Sequence, residues 1–483
     1  MMFSALNRLD RWRNKEKAES ETDVGRLLPD LPVIKGLPND NWPEVDFFID
    51  LRGGPTVNTG YGLSGYGVWY FQFGSSRNQG GDSFRSWEAW LKETVLRVRL
   101  CSMNGNYGPH AVLREGYFSI DPISPGKTFA AAARGAADWP ALACADIING
   151  RGPSGGGADF AKSRHRPSPD MSSTFVAVQC LFLFLWRRLV YFLGTFRDPF
   201  WGVGIIRAPI HEFLDNPRPA EIEWIANSSR RYFYADPFAV TDGTTTTILA
   251  ERYDYKTARG DIVSFVNPDS GETNWKKNAI EAPCHMSYPF VFEDQGQTYC
   301  VPETHQIRRV ILFNLDPARN EWRKDAVLIK DFAAVDTTLV RHDDRWWMFC
   351  TDNDDYDTTK LLIWFADTLH GPWTPHPRNP VKCDVRSARP GGTPFVHNGV
   401  LYRPSQDCSK RYGWALTINR VDVLNDTEFV EKPHIHLSPD IDGRYPEGLH
   451  TLSAAGPVTL VDGYRLAWTF GQYFRKFHRF FIN

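Results

Sequence analysis

A hairpin unit recurs five times between residues 234 and 468, and that recurrence limits the fold more than any other feature of the chain. Its first copy is Tyr234-Ala-Asp-Pro-Phe-Ala-Val-Thr-Asp-Gly, followed by Thr-rich residues and Ile-Leu-Ala-Glu251. This reads as an extended run, a tight turn at Asp242-Gly243 and a returning strand that ends on an acid; Asp-Gly between alternating apolar residues is a strong hairpin signal. Ser287-Tyr-Pro-Phe-Val-Phe turns at Gln295-Gly296 and returns through Tyr299 to Pro302-Glu303, and Asp336-Thr-Thr-Leu-Val turns at Asp343-Asp344 and returns through Trp346-Trp347 to Asp352. Thr393-Pro-Phe-Val turns at Asn398-Gly399 and returns to Gln406-Asp407. Gly456-Pro-Val-Thr-Leu is expected to turn at Asp462-Gly463 and return to Trp468. The spacing is about 50 to 60 residues, the period of propeller blades.

Between hairpins a strand is followed by Trp: Ile262-Val-Ser-Phe then Trp275, Val310-Ile-Leu-Phe then Trp322, Leu361-Leu-Ile-Trp-Phe then Trp373. Two hairpin strands and two more make the four strands of a blade. The fifth hairpin has little chain after it, and Val203-Gly-Ile-Ile206 followed by Trp224 supplies the same pattern from in front. The expectation is a mainly β chain. It consists of a five-bladed β-propeller over 199–483, closed by an N-terminal strand, and a smaller N-terminal α/β portion. Closure removes exposed sheet edges. An open β-sandwich is the alternative.

The charge balance, 55 Lys+Arg against 57 Asp+Glu, gives no basic field for nucleic acid. Aromatics reach 14% with 17 Trp, which suits both blade packing and stacking on sugar faces. The eight Cys are scattered with no Cys-x-x-Cys pair, which predicts neither a zinc site nor a disulfide framework and points to a reducing, cytoplasmic setting. Residues 1–30 are polar and carry no secretory pattern. No cofactor fingerprint is present, and the Gly-rich Arg52-Gly-Gly-Pro55 lacks a phosphate-binding spacing.

Residues 31–142 differ in texture. Val45-Asp-Phe-Phe-Ile-Asp-Leu51 predicts a buried strand, followed by Tyr66-Gly-Val-Trp, Trp87-Glu, Arg114-Glu-Gly-Tyr-Phe118 and Trp139-Pro-Ala. This order resembles a degenerate formyltransferase-like domain. Working formyltransferases carry Asn-x-His and Ser-Leu-Leu-Pro; here Tyr70-Phe-Gln-Phe-Gly74 stands in that stretch, so the resemblance implies a non-catalytic remnant. Residues 143–198 read as a linker, rich in Gly at 151–157, with one apolar helix. Thr174 to Leu193 is the most apolar stretch and is interrupted by Arg187-Arg188. An uninterrupted run of about 13 residues falls short of the roughly 20 that cross a bilayer. It predicts a helix packed between domains or lying on a membrane surface as a peripheral contact.

In a propeller the first strand of each blade lines the central channel. Read blade by blade, that position offers Asp236; His285 with Tyr288; Asp336; Arg389; and Glu447 with His450. Glu303, Gln406 and Asp407 end returning strands at the rim. Any one of these has a structural reading: Asp236 before Pro can start a strand, either His can sit satisfied in a core, and Arg389 can pair with Asp236 or Asp336. Their coincidence points to a ligand site, because buried charges persist mainly when paired or used. No local ligand spacing supports a metal.

Ala235-Asp-Pro-Phe238 is similar to the first-blade motif of five-bladed glycoside hydrolases of the arabinanase, xylosidase and invertase kinds, which implies Asp236 as base or nucleophile. Those enzymes place an Asp at the second blade and a Glu at the third, where this chain has His285 with Tyr288 and Asp336. A second set of motifs runs in order through residues 200–475: Ala-Asp-Pro-Phe238, His285-x-Ser-Tyr-Pro-Phe, Val-Pro-Glu303, Asp336-Thr-Thr-Leu-Val, Gly371-Pro-Trp-x-Pro-His, Ala388-Arg-Pro-Gly-Gly, Gln406-Asp-Cys-Ser and Glu447-Gly-Leu-His-Thr. It resembles the N-terminal domain of plant glucosamine inositolphosphorylceramide transferases and their bacterial relatives. In the plant proteins a glycosyltransferase domain follows the propeller, whereas Asn483 here comes directly after the fifth hairpin.

The resemblance implies glycoconjugate metabolism, with a glycan, sugar phosphate or glycolipid in the funnel. One expectation is an enzyme with Asp236 as base or nucleophile and Asp336 or Glu447 as acid. In it His285, Tyr288, Glu303, Arg389, Gln406, Asp407 and His450 bind substrate, with Arg389 suited to a phosphate or carboxylate fork. The other is a non-catalytic glycan-binding or scaffold module that works with a separate glycosyltransferase.

Overall fold

The computed structural model describes residues 46–50, 65–74, 94–152, 174–194, 197–227, 229, 231–241, 246–266, 275–439 and 443–468. The Gly-rich stretch at 52–55, Trp87 and Trp90, most of the Gly-rich linker, the polar segment 1–30 and the turn at Asp242-Gly243 lie outside the described residues. The chain forms two units, Met1–Leu193 and Gly194–Asn483.

The first unit holds a sheet in the order β1 (Phe48–Asp50), β2 (Val68–Phe73), β3 (Val95–Gly105) and β4 (Gly108–Ser119). Strands β1 and β2 are parallel and the other pairs antiparallel. Helix α1 (Pro125–Gly135) starts where the Ser124 hydroxyl accepts the Lys127 N–H at 3.1 Å and Pro125 fixes the first turn. Helix α2 (Trp139–Ile148) buries Trp139 and Ala143, one turn apart, against β4, with Trp139 6.3 Å from the Phe118 ring. Its last turn therefore lies within residues that composition alone assigns to the linker. The formyltransferase-like reading of this region rests on its sequence motifs. Helix α3 (Thr174–Gly194) is the apolar stretch. Among the described residues no helix is long and apolar enough to cross a membrane.

The second unit is a five-bladed β-propeller. Its blades are β7 (Tyr232–Thr241), β8 (Thr246–Asp254), β9 (Arg259–Val266) and β10 (Lys276–Ile280); then β11 (Ser287–Asp294), β12 (Gln297–Glu303), β13 (Arg309–Asp316) and β14 (Glu321–Lys330). The third has β15 (Ala334–His342), β16 (Arg345–Asp352), β17 (Lys360–Ala366) and β18 (Thr374–Pro375), with β19 (Lys382–Cys383) also on β17. The fourth is β20 (Phe395–His397), β21 (Val400–Asp407), β22 (Ala415–Leu424) and β23 (Phe429–Leu437). The fifth joins β24 (Leu452–Ala455) and β25 (Val458–Trp468) to β5 (Arg197–Ile206) and β6 (Ile222–Trp224), so the front of the unit closes the ring as the sequence predicts.

Local chemistry sets the turns. Gln295-Gly296, Asp343-Asp344 and Asn398-Gly399 all have positive φ at both central residues, the mirror-image turn that matches strand twist. The fifth hairpin departs from the expected phase. Its turn is Gly456-Pro457, where Gly456 takes φ 62°, and Asp462-Gly463 lie in the middle of β25. The Asp-Gly pair is a poor guide here because the Asp462 side chain is wholly buried and accepts the backbone N–H groups of Asp236, His450 and Thr451.

Apolar faces fill the seams between blades. Phe238, Leu249, Phe290, Val301, Leu339 and Met348 join the first three blades. Phe349, Leu361, Leu401 and Phe429 join the third to the fourth, and Leu416, Ile418, Leu452 and Val461 the fourth to the fifth. Ile205 and Leu460 meet Ile248 and Phe265, which returns the ring to its first blade.

Candidate functional site

The same irregularity marks the innermost strand of three consecutive blades. The ladder register slips between Ala235 and Phe238, between Ser287 and Phe290, and between Val335 and Thr338. At each slip a non-glycine residue sits in left-handed conformation: Asp236 (φ 50°), Tyr288 (φ 43°) and Asp336 (φ 49°). Such backbone costs on the order of 1–3 kcal/mol per residue and persists where surroundings over-determine it. The bulge turns these side chains and their N–H groups out of the ladder towards neighbouring blades.

The result is a hydrogen-bonded ring. Asp236 N–H donates to Asp462 at 3.0 Å, Tyr288 N–H to Asp236 at 3.3 Å, Asp336 N–H to Glu303 at 3.1 Å and Gly392 N–H to the Tyr288 hydroxyl at 2.7 Å. The Thr451 hydroxyl donates to Asp236 at 2.8 Å. Arg389 Nε and the Gln406 amide both donate to Oδ2 of Asp336 at 2.6 Å, and Arg389 Nη1 reaches Asp357 at 2.8 Å. The exposed Tyr412 ring lies 5.0 Å from that guanidinium.

Five carboxyls share this buried centre, Asp236, Glu251, Glu303, Asp336 and Asp462, against Arg389, His305 and His450 as groups able to carry positive charge. A low-dielectric site tolerates little net charge, so protons make up the difference. Burial and the nearby Glu303 and Asp236 push Asp336 up to about 8, against the pull of Arg389. Burial also raises Asp236, which His450 partly offsets, and raises Glu251 well above the usual carboxylate range. Glu303 goes the other way: burial opposes ionisation, yet His305 at 2.7 Å and Arg389 draw it down to about 2. His450 stacks on Trp201 at 3.9 Å, and Asp462 and Asp236 raise it to about 9 despite its burial. His285 is lowered by burial.

The ligand atoms of Asp236, His450 and Asp462 lie within 4.8 Å of one another, close enough for a metal ion. The His450 ring nitrogen already bridges them, 2.5 Å from Asp462 and 3.7 Å from Asp236, and both Asp462 oxygens accept backbone N–H groups. A protonated imidazole thus does the work of a cation.

The structure brings Asp236, Asp336, Glu303, Arg389, Gln406 and His450 together, with Tyr288 among them. Tyr288 is wholly buried and its hydroxyl links Thr338 and Gly392, so it is a strut between blades rather than a surface for substrate. His285 stands beside Glu251, 3.7 Å from its carboxylate. Asp407 caps a turn through the Ser409 N–H and, among the described residues, makes no hydrogen bond to the ring. Glu447 is not in the cluster either; its half-buried carboxylate pairs with Arg411 at 2.6 Å. Sequence reading left out Glu251, His305, Thr451 and Asp462. The acid at the end of the first hairpin was the signal for Glu251, and the alternation in Leu460-Val-Asp462 was the signal for a strand residue.

Residues 220–444 match the family described as "Glucosamine inositolphosphorylceramide transferase 1, N-terminal". Glucosamine inositolphosphorylceramide transferase 1 of Oryza sativa subsp. japonica is 35% identical over 250 residues, which is 48% of this chain and 33% of that protein. The Arabidopsis thaliana protein of the same name is 34% identical over 261 residues, 50% and 34% of the two chains. The chain thus spans about a third of the length of these relatives. Among solved structures, a thermostable family-43 glycoside hydrolase aligns at a TM-score of 0.35 and 14% identity, covering 45% of this chain and 83% of the other. A family 117 glycoside hydrolase from Zobellia galactanivorans aligns at 0.34 and 12%, covering 48% and 85%. The resemblance carried by Ala235-Asp-Pro-Phe238 and the motifs after it holds: most of this propeller is similar to the N-terminal domain of glucosamine inositolphosphorylceramide transferases.

Proposed function

We propose that this chain acts on a glycan, sugar phosphate or glycolipid held in the propeller funnel, in glycoconjugate metabolism. Asp236 serves as base or nucleophile and Asp336 as the acid of the sequence-level assignment. One observation supports this above the rest: Asp236 and Asp336 occupy the same strained bulge in different blades and enter one buried network. Two carboxyls converging on one buried centre are the arrangement that glycoside chemistry uses. Arg389 and His285 then bind hydroxyls or an anionic group.

A second reading is also supported by a specific observation. The oxygens of Asp236 and the Oδ2 of Asp336 already receive hydrogen bonds from neighbouring blades. Under this reading the module binds a glycan without turning it over and works with a separate glycosyltransferase. The test is a binding screen against sugars, sugar phosphates, nucleotide sugars and glycolipids, with each hit checked for product by mass spectrometry. The catalytic reading expects Asp236→Asn to keep binding and lose turnover at least about a hundredfold, and Arg389→Ala to lose binding. Binding with no product from wild type selects the binding module, and no binding at all removes both.

Helix α3 supports a peripheral lipid contact. Val178, Phe182, Leu185, Trp186, Leu189 and Leu193 recur at helical spacing and are all exposed. Arg187 and Arg188 are half-buried, and the Arg188 guanidinium lies 4.5 Å from the ring of buried Phe184. The protein should co-sediment with phosphatidylcholine vesicles containing phosphatidylserine, and Phe182→Asp with Trp186→Asp should abolish this. Equal sedimentation of the double variant would remove the lipid assignment.

A further inference from the structure

Two buried acids of the ring, Glu303 and Asp462, serve the next blade in the same way, and the acid at the matching place in the first blade, Glu251, does not. In the three bulged blades the returning strand places a residue opposite the slip in the first strand. Glu251 is paired across from Ala235, Glu303 from Ser287 and Thr351 from Val335, and the register of β24 with β25 sets Asp462 beside the pair Leu452 and Val461. Two of the acids at this position serve the next blade. Glu303 accepts the bulge N–H of Asp336 and Asp462 accepts that of Asp236. The donor that this pattern assigns to Glu251 is the bulge N–H of Tyr288, and Asp236 has taken it.

Glu251 is therefore a buried acid with no hydrogen-bond donor among the described residues. Its ion-pair partner among the described residues, His285 Nε2, is 3.7 Å away, beyond hydrogen-bonding length. The Gly260 N–H donates to His285 Nδ1 at 2.7 Å, so the neutral ring carries its proton on Nε2, the nitrogen that faces Glu251. Gly260 is required there: a Cβ would stand 2.3 Å from Glu251 Oε1 and 2.7 Å from His285 Cε1. The side chain keeps 9% of its surface open. Asp336, by contrast, has one carboxylate oxygen held by both Arg389 and Gln406.

We propose that Glu251, rather than Asp336, is the proton donor of the funnel, and that it protonates the leaving oxygen of a bound glycoside. The bond between the anomeric carbon and that oxygen breaks, its electron pair stays on the oxygen, and the oxygen takes the Glu251 proton. Water adds to the anomeric carbon and loses its proton to Asp236, and exchange with solvent restores both groups. Asp336 then acts as a positioning residue, anchoring Arg389 and Gln406. This inference rests on the catalytic reading of the funnel.

The test has two parts. Infrared difference spectra of the intact protein at neutral pH, wild type against Glu251→Gln, should show a protonated-carboxyl band that the variant lacks; an unchanged band overturns the proposal. Turnover is then measured on paired methyl and nitrophenyl glycosides of the common pyranoses. Glu251→Gln should lose at least about a hundredfold on the methyl glycosides, and far less on the nitrophenyl ones, whose leaving group departs without a proton. Asp336→Asn should affect both series alike. Equal turnover by Glu251→Gln and wild type, with Asp236→Asn inactive, overturns the proton-donor role alone. Absence of turnover by wild type on every glycoside overturns this role and the catalytic reading together.

Discussion

Alanine in place of Asp462 should lower the stability of the protein by about 3–5 kcal/mol, the cost of leaving a buried charge without its partner. The carboxylate is fully buried and accepts the N–H groups of Asp236, His450 and Thr451, each at 3.0 Å, while His450 Nδ1 lies 2.5 Å away. Alanine orphans three buried donors and one imidazolium at the junction of the last blade with the first. Denaturant unfolding is the measurement: the midpoint should fall with the slope unchanged. A pH dependence accompanies it. His450 is raised from 6.5 to about 9 in the folded state, so its stabilisation is full below pH 6.5 and is lost as pH rises through 9. Asp336 and Glu251, also raised, act in the same direction. Wild type should weaken between pH 6.5 and 9, and Asp462→Ala should weaken less over that interval. A variant with wild-type midpoint and wild-type pH slope would show that the ring closes without this carboxylate.

A loss of the same order, about 3–5 kcal/mol, is expected for Arg403→Ala. Arg403 and Glu431 are each 1% exposed in their side chains and meet in a two-pronged contact of 2.9 and 2.6 Å. Lys382 adds a second cation to Glu431 at 2.7 Å. Burial opposes ionisation of Glu431, and Arg403 with Lys382 outweighs it, so the carboxyl sits below its usual range. Alanine leaves that charge half-compensated in the core. It also removes the donors to the Ser387 and Ala388 carbonyls, at 2.7 and 3.2 Å, which hold the segment leading into Arg389. Arg403→Lys should recover only part of the stability, since an ammonium cannot supply the planar fork. Urea titration of the three proteins orders them, and lysine matching arginine would contradict the geometric argument.

Blades were legible in the sequence because a hairpin is local. Gln295-Gly296 and Asn398-Gly399 demand their turns whatever surrounds them. Asp236 and Asp336, on first strands, and Arg389, in the segment leading to one, were legible because five aligned copies expose the position that keeps departing from apolar. The partners were not. Asp462 reaches the site through the pairing of β25 with β24 and the closure of blade five onto blade one, and neither is written near Asp462-Gly463, whose dipeptide chemistry pointed to a turn. Glu447 was drawn in by its closeness in sequence to His450. Pro446 and Glu447 lie at the edge, where Arg411 captures the carboxylate, while His450 three residues on is buried. Strand register separates these cases, and register is a property of the sheet.

The fifth blade draws β5 and β6 from the front of the unit and β24 and β25 from its far end. On a ribosome, β5 emerges before every other strand of the ring, and its partner β25 emerges last. The N–H of Asp236 waits for a carboxylate that is synthesised more than two hundred residues later. Local hairpins can form as they appear, and the contacts that join Glu303, Asp336, Arg389 and Gln406 lie within the middle blades. The contacts of Asp236 with Thr451 and Asp462 form only when the final strand docks, so a nascent chain stalled before residue 451 lacks the Asp236 side of the site.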